Sequence, residues 1–417
     1  MRLPATLRAL QYRNFQLFFS GQLISLIGTW MQTVAQAWLV YRLTGSSVLL
    51  GAIGFCNQIP IFLLAPIGGI VADRYNRHHV VIATQTASMV LALILSALTL
   101  TGRVRVEHIF ILAALLGMVN AFDIPARQAF IVEMVDRTDL MNAIALNSSM
   151  FNGARVMGPA IAGVLVARLG EGWCFFANGI SYVAVIVGLL AMHVVPRPPA
   201  APQSALRNVI EGFRYVAGNF PIRGLLGLLG VVSLTGMPYT VLMPIFADKV
   251  LHGGAQALGM LMGAAGVGSL CGALLLASRR TVRGFGRGAA AAAAVFGACV
   301  AVFGYSRTYW LSMAILVLAG FAVMVQMGAS NTLIQSMVPD QLRGRVMSIY
   351  SMMLMGMAPF GSILAGWGAA RIGSPATVAA GGFVCILASG VFSLFLPRIR
   401  VDARRQIAEQ MPAAQSS

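Results

Sequence analysis

Apolar residues in this chain run in blocks of about twenty, and polar residues gather in the short intervals between the blocks. A window of about 19 residues places apolar segments near 16 to 40, 48 to 72, 80 to 100, 108 to 126, 142 to 167, 173 to 195, 224 to 247, 256 to 277, 288 to 305, 309 to 331, 346 to 369 and 375 to 396. Each is long enough to cross a hydrocarbon core of roughly 30 Å as a helix. The pattern predicts an all-α membrane protein with twelve transmembrane helices in two six-helix halves. An even count puts both termini on one side. Twelve crossings of about 21 residues consume about 250 residues, so the rest of the 417-residue chain supplies tails and connections and has no room for a soluble catalytic domain.

The longest connection, Pro196 to Arg223, sets the boundaries. Residues 1–195 form the first half, 196–223 a linker, 224–396 the second half and 397–417 a tail. After four prolines the linker continues from Ser204 to Tyr215, where Leu206, Val209, Ile210 and Phe213 recur at helical spacing against Arg207, Glu211 and Arg214. This pattern predicts a short amphipathic helix on the membrane face, the alternative being a structureless linker. A weak repeat supports the division: Ile131, Met134, Val135, Ala162 and Gly163 recur 203 residues later as Ile334, Met337, Val338, Ala365 and Gly366. Duplicated halves are common in transporters.

Composition narrows the class further. Hydrophobic residues make up 58% and charged residues 10% of the chain, against roughly 25% charged in soluble domains, which excludes a water-soluble globule. The net charge of +17 is a topology signal and not a nucleic-acid footprint. The N-terminus, the even-numbered connections and the tail hold 21 of the 29 Lys and Arg residues, and the odd-numbered connections hold 7. By the positive-inside rule both termini are cytoplasmic. The five cysteines are scattered and read as packing residues, and His78 and His79 stand alone in a basic loop, so no metal site or cofactor is expected. No Gly-x-x-x-x-Gly-Lys-Ser/Thr run offers an ATP site. The bilayer is the expected partner, with no nucleic acid and no obligate protein partner.

After the second segment the chain reads Gly69, Ile70, Val71, Ala72, Asp73, Arg74, Tyr75, Asn76, Arg77, His78, His79. This resembles the cytoplasmic signature of the major facilitator superfamily, with Asn76 where glycine is usual and His78 where a second base is frequent. Asparagine tolerates left-handed backbone geometry, and Gly69 is expected to permit close helix approach. The resemblance implies a conformational latch at Gly69, Asp73, Arg74 and Arg77. The alternative is a solvated loop charge that fixes topology.

In the fifth segment, Ala154 to Gly163 is similar to the antiporter signature of drug and metabolite exporters, with Gly158, Pro159 and Gly163 intact. Small residues at 154, 158 and 162 share a face for tight packing, and Pro159 frees a backbone carbonyl. Arg155 is the one basic residue deep in a segment, which makes a functional role the default. With Ser148 and Asn152 it is expected to face a substrate cavity, or else to bond helix carbonyls. In the first segment, Gln22, Ser25, Thr29, Gln32, Thr33 and Gln36 project within about 100° of one another. That stripe faces either the cavity or neighbouring helices.

Asn120, Asp123 and Arg127 share a face at the inner end of segment four. Asp123 is the leading acid for proton coupling, and a salt bridge with Arg127 is the alternative. The stretch Asn120 to Phe130, with Arg13, Asn14 and Phe15, looks like the superfamily branch that includes the enterobactin exporter and macrolide efflux proteins. The resemblance implies a secondary transporter, not an enzyme, exporting siderophores or drug-like molecules by proton antiport, with an importer on the same fold as the alternative.

Overall fold

In the computed structural model the described residues are 5–194, 205–279, 281–282 and 284–410. The linker prolines at 196, 198, 199 and 202, Arg280, Arg283 and the tail from residue 411 lie outside them. Twelve helices among the described residues are long and apolar enough to span a membrane. They are α1 (Arg13–Thr44), α2 (Ser47–Arg74), α3 (Arg77–Leu100), α4 (Val106–Met134), α5 (Leu140–Leu169), α6 (Glu171–Leu190), a seventh broken span from Phe220 to Val250, then α10 (Gly254–Ser278), α11 (Phe285–Tyr305), α12 (Tyr309–Met337), α13 (Asp340–Ile372) and α14 (Ser374–Gln410). The linker contributes α7 (Ala205–Gly218). The seventh span consists of α8 (Phe220–Val231) and α9 (Tyr239–Ile245), with π turns at Val232–Gly236 and Phe246–Val250.

Several helices outrun the segments that hydropathy marks, because a helix keeps its internal hydrogen bonds past the edge of the hydrocarbon core. The end of α4 is the case that matters. It continues to Met134, so Asp123, Arg127 and Glu133 ride on one rigid element.

Close contacts divide the chain into two units, Met1–Pro202 with Met243–Gly266, and Gln203–Leu242 with Val267–Ser417. In the first unit, small residues let backbones approach without side chains between them. Gly21 faces Ala184 of α6, Gly68 faces the Ala121 carbonyl of α4, and Gly117 faces Asn57 of α2. A cluster of Phe15, Phe18, Phe130, Val81, Val185 and Leu189 closes one end of this unit. The second unit repeats the device, with Gly268 against Val317 and Gly297 against Gly382.

The sequence repeat is also a repeat of helix ends. Val106–Met134 and Tyr309–Met337 are both 29 residues long and lie 203 positions apart at each end. Gly170 and Gly373, related by the same offset, cap α5 and α13 at φ +89° and +84°, a left-handed region that only glycine enters cheaply.

The cysteines correct one expectation. Cys174, Cys299 and Cys385 are buried and Cys56 half-buried, but Cys271 is exposed, on the α10 face that also leaves Val267, Leu274 and Leu275 exposed.

Candidate functional site

Asp123 lies inside the first unit, 3% exposed. Its Oδ1 accepts hydrogen bonds from Thr84 Oγ1 and Gln85 Nε2, both at 2.8 Å, and its Oδ2 accepts from Arg127 Nε at 3.0 Å. Helical spacing positions both carriers: Arg127 is one turn on from Asp123, and Thr84 with Gln85 sits on the α3 face packed against α4. The salt bridge weighed from the sequence is therefore present, and Asp123 is held against α3 by polar partners. A proton on Oδ2 would put an O–H donor where Arg127 Nε now finds an acceptor.

At the α2–α3 connection Asp73 is exposed, and its contact with Arg77 is long, 3.5 Å. Arg77 is held elsewhere, by Glu133 at 3.0 Å and by the carbonyls of Ala72 and Ala129. Glu133 escapes a sequence reading that ends the fourth segment at residue 126. An acid about two helix turns beyond the apolar run was the available signal. Two glycine and asparagine expectations also change. The close approach is at Gly68, whose added Cβ would strike the Ala121 carbonyl, while one on Gly69 would meet nothing within 4 Å. Asn76 is extended, at φ −62°, and caps α3 by accepting from the His78 amide at 3.0 Å. Arg74 is exposed. His78 is no ligand: its Nε2 meets the Leu189 carbonyl at 2.8 Å and its ring stacks on Phe130.

In α5, Ala154, Gly158, Pro159, Ala162 and Gly163 are all buried. Gly158 faces the Ile27 carbonyl and Trp30 of α1, and Gly163 faces Gly259 of α10, the Cβ of either glycine being replaced by backbone of the other helix. Arg155 is half-buried, with its guanidinium 5.7 Å from the Trp30 ring centre. Ser148 is exposed, and Asn152 is buried with its amide donating to the Ser148 carbonyl.

The α1 stripe splits between the two roles open to it. Gln22, Ser25, Gln32 and Gln36 are buried. Asn178 of α6 donates to Gln32 Oε1 at 2.6 Å, and the Thr29 and Tyr182 hydroxyls lie 3.4 Å apart, so these two positions bond a neighbouring helix. Thr33 is exposed and Asn120 half-buried. A further acid that sequence reasoning passed over is Asp248, whose Oδ2 accepts from the Tyr41 hydroxyl at 2.6 Å. Its place in a π turn at the end of the seventh span is not marked by hydropathy. Among the described residues no group of three or more His, Cys, Asp or Glu side chains could hold a metal.

The repeat mates of Asp123 and Arg127, 203 positions on, are Gln326 and Ser330. Both are fully buried in the second unit, and neither side chain has a partner among the described residues. The α11 counterparts of Thr84 and Gln85 fall in the run Ala289 to Ala294, whichever helix end sets the register. The polar cluster thus belongs to one half only.

Twelve apolar helices, six on either side of α7, with a charged connection after the second, define a polytopic membrane protein. Solved structures of that class share the architecture. A bacterial homologue of the human lysosomal transporter Spinster, inward-facing and unoccupied, superposes with a TM-score of 0.71 at 14% identity, covering 96% of this chain and 98% of its own. A peptide transporter of the POT type in complex with sulfate gives 0.75 at 10% identity, covering 94% and 96%. The chain belongs to the transmembrane secretion effector family of the major facilitator superfamily, whose family model matches residues 5–416. Among characterised relatives, the staphyloferrin A transporter of Staphylococcus aureus is 28% identical over 352 residues, covering 83% of this chain and 87% of that one. The enterobactin exporter EntS of Escherichia coli O1:K1 is 25% identical over 404 residues, 96% of each.

Proposed function

We propose that this transporter exports small amphipathic molecules of siderophore or drug type from the cytoplasm of a bacterium in exchange for protons, with both termini cytoplasmic in the inner membrane. The observation that carries the coupling is the Asp123 cluster. A proton arriving on Asp123 releases Arg127, and its departure restores the pair, so proton occupancy biases two arrangements of α3 and α4. Protons enter as cargo leaves, and no covalent step occurs. The 21 to 7 asymmetry of basic residues supports the orientation. The name of the enterobactin exporter supports the direction, and that name together with the staphyloferrin A transporter supports the cargo class.

The residues fall into three roles on this reading. Gly69, Asp73, Arg74 and Arg77 work with Glu133 as a latch at the cytoplasmic end, where Arg77 exchanges carboxylate partners between conformations. Gly158, Pro159 and Gly163 hold α5 close to α1 and α10. Arg155, Ser148 and Asn120, with the exposed part of the α1 stripe, meet the cargo, and Arg155 attracts its anionic or carbonyl-rich part. Cells stripped of their own efflux pumps and loaded with a fluorescent amphipathic compound test this. Expression should speed loss of the dye and an uncoupler should stop the gain. Greater retention on expression would reverse the direction.

A further inference from the structure

Two guanidinium groups share one aromatic ring at the inner end of the second unit. Arg223, on the first turn of α8, lies 5.7 Å from the Phe220 ring centre, and Arg398 of α14 lies 4.7 Å from the same ring. The ring is itself fixed edge-on to Phe395 at 5.8 Å. Both arginines are exposed, and among the described residues neither meets a carboxylate within salt-bridge distance. Arg223 spends one N–H on the Ala217 carbonyl at 3.0 Å and has further guanidinium donors to offer. In the first unit, by contrast, Arg42, Arg77 and Arg127 are each paired with Asp or Glu. Two positive charges gathered on one ring, with no carboxylate within salt-bridge distance among the described residues even though Asp402 lies one helix turn on from Arg398, call for an anion with several acceptor oxygens, and guanidinium forks match phosphate oxygens in pairs.

The surroundings decide the source of that phosphate. From Arg398 back along α14, Leu394 is 78% and Phe395 48% exposed, with Val391 open on the same helix, so apolar surface leads from the charged pair into the bilayer. A free phosphate ion has no use for that surface, whereas an acyl chain covers it. Basic residues just inside the cytoplasmic leaflet attract its anionic lipids. We propose that Arg223, Arg398 and Phe220 form a binding site for the phosphodiester of an anionic phospholipid. Placing the site in the cytoplasmic leaflet rests on the orientation proposed above, but the binding chemistry does not.

Native mass spectrometry of the full chain in detergent, titrated with short-chain phosphatidylglycerol or phosphatidylcholine, tests the site without reference to transport or orientation. Phosphatidylglycerol should bind more tightly than phosphatidylcholine. Arg223→Gln and Arg398→Gln should each weaken it about fivefold, the weight of one interfacial basic residue, and leave phosphatidylcholine unchanged. Arg398→Lys and Phe220→Leu keep the net charge at the site better than the glutamine variants do. They should each give a smaller loss of phosphatidylglycerol affinity, and they read the site even where a glutamine variant unfolds. Millimolar inorganic phosphate should not displace the lipid. Unchanged phosphatidylglycerol affinity in all four variants, equal loss for both lipids, or displacement by inorganic phosphate would each overturn the proposal.

Discussion

Asp123→Asn is the substitution whose consequences follow most directly from the geometry. Asparagine either keeps its oxygen for Thr84 and Gln85 and turns its NH2 toward Arg127 Nε, donor against donor, or reverses and sets the NH2 against Gln85 Nε2. Breaking a buried ion pair by removing one member costs about 3–5 kcal/mol. Arg127 keeps 20% of its side chain exposed and can swing toward water, which lowers the expectation toward the 1.5–3 kcal/mol of one charge-assisted hydrogen bond, so about 2–3 kcal/mol. Removing the base as well relieves the clash. The double variant Asp123→Asn/Arg127→Gln should therefore be less destabilised than the two single variants summed, by about 1 kcal/mol or more. The assay is the thermal unfolding midpoint of the purified protein in one detergent, for the parent, both single variants and the double. Additivity within about 0.5 kcal/mol would mean that the pair is not energetically coupled, and the proton switch built on it would go with it.

Other positions give sharper yes-or-no outcomes. Gly68→Ala places a methyl against the Ala121 carbonyl and should cost stability on the order of 1–3 kcal/mol, while Gly69→Ala enters open space and should leave the melting midpoint alone; the reverse order would sink the packing argument. Glu133→Gln should slow transport at unchanged membrane abundance because Arg77 loses its short partner, and Asp73→Asn should slow it too if Arg77 exchanges partners; equal flux in both would reduce the cluster to a topology charge. Arg155→Ala should weaken export of an anionic cargo more than that of a neutral one, as read from competition between the two, and an equal loss would assign Arg155 to packing on Trp30.

Hydropathy revealed the twelve spans because lipid leaves no choice: each backbone crossing must be helical and apolar over about 20 residues. The same measure hid what lies beyond the hydrocarbon edge. Glu133 and Asp248 sit on helices that continue past the apolar run, so neither registered as part of a membrane helix. The identity of the close-packed glycine was equally hidden. Gly68 and Gly69 are neighbours in sequence, but 100° of helical rotation turns one to α4 and the other away from it. Asp123 and Arg127 were legible as a pair because one turn separates them. Their partners Thr84 and Gln85 were not, since pairing across helices depends on the relative rotation of α3 and α4, which periodicity alone does not set. The polar stripe of α1 was visible as a stripe, yet which of its members bond α6 depends on where Asn178 and Tyr182 stand.

Everted membrane vesicles from a host lacking other efflux pumps test the central claim most directly, because respiration acidifies their lumen. Vesicles carrying this protein should accumulate a catecholate siderophore in the lumen against its gradient, lose that accumulation on addition of an uncoupler, and equilibrate without accumulation in the Asp123→Asn variant. Accumulation that survives the uncoupler, or cargo driven out of the lumen, would contradict proton-coupled export.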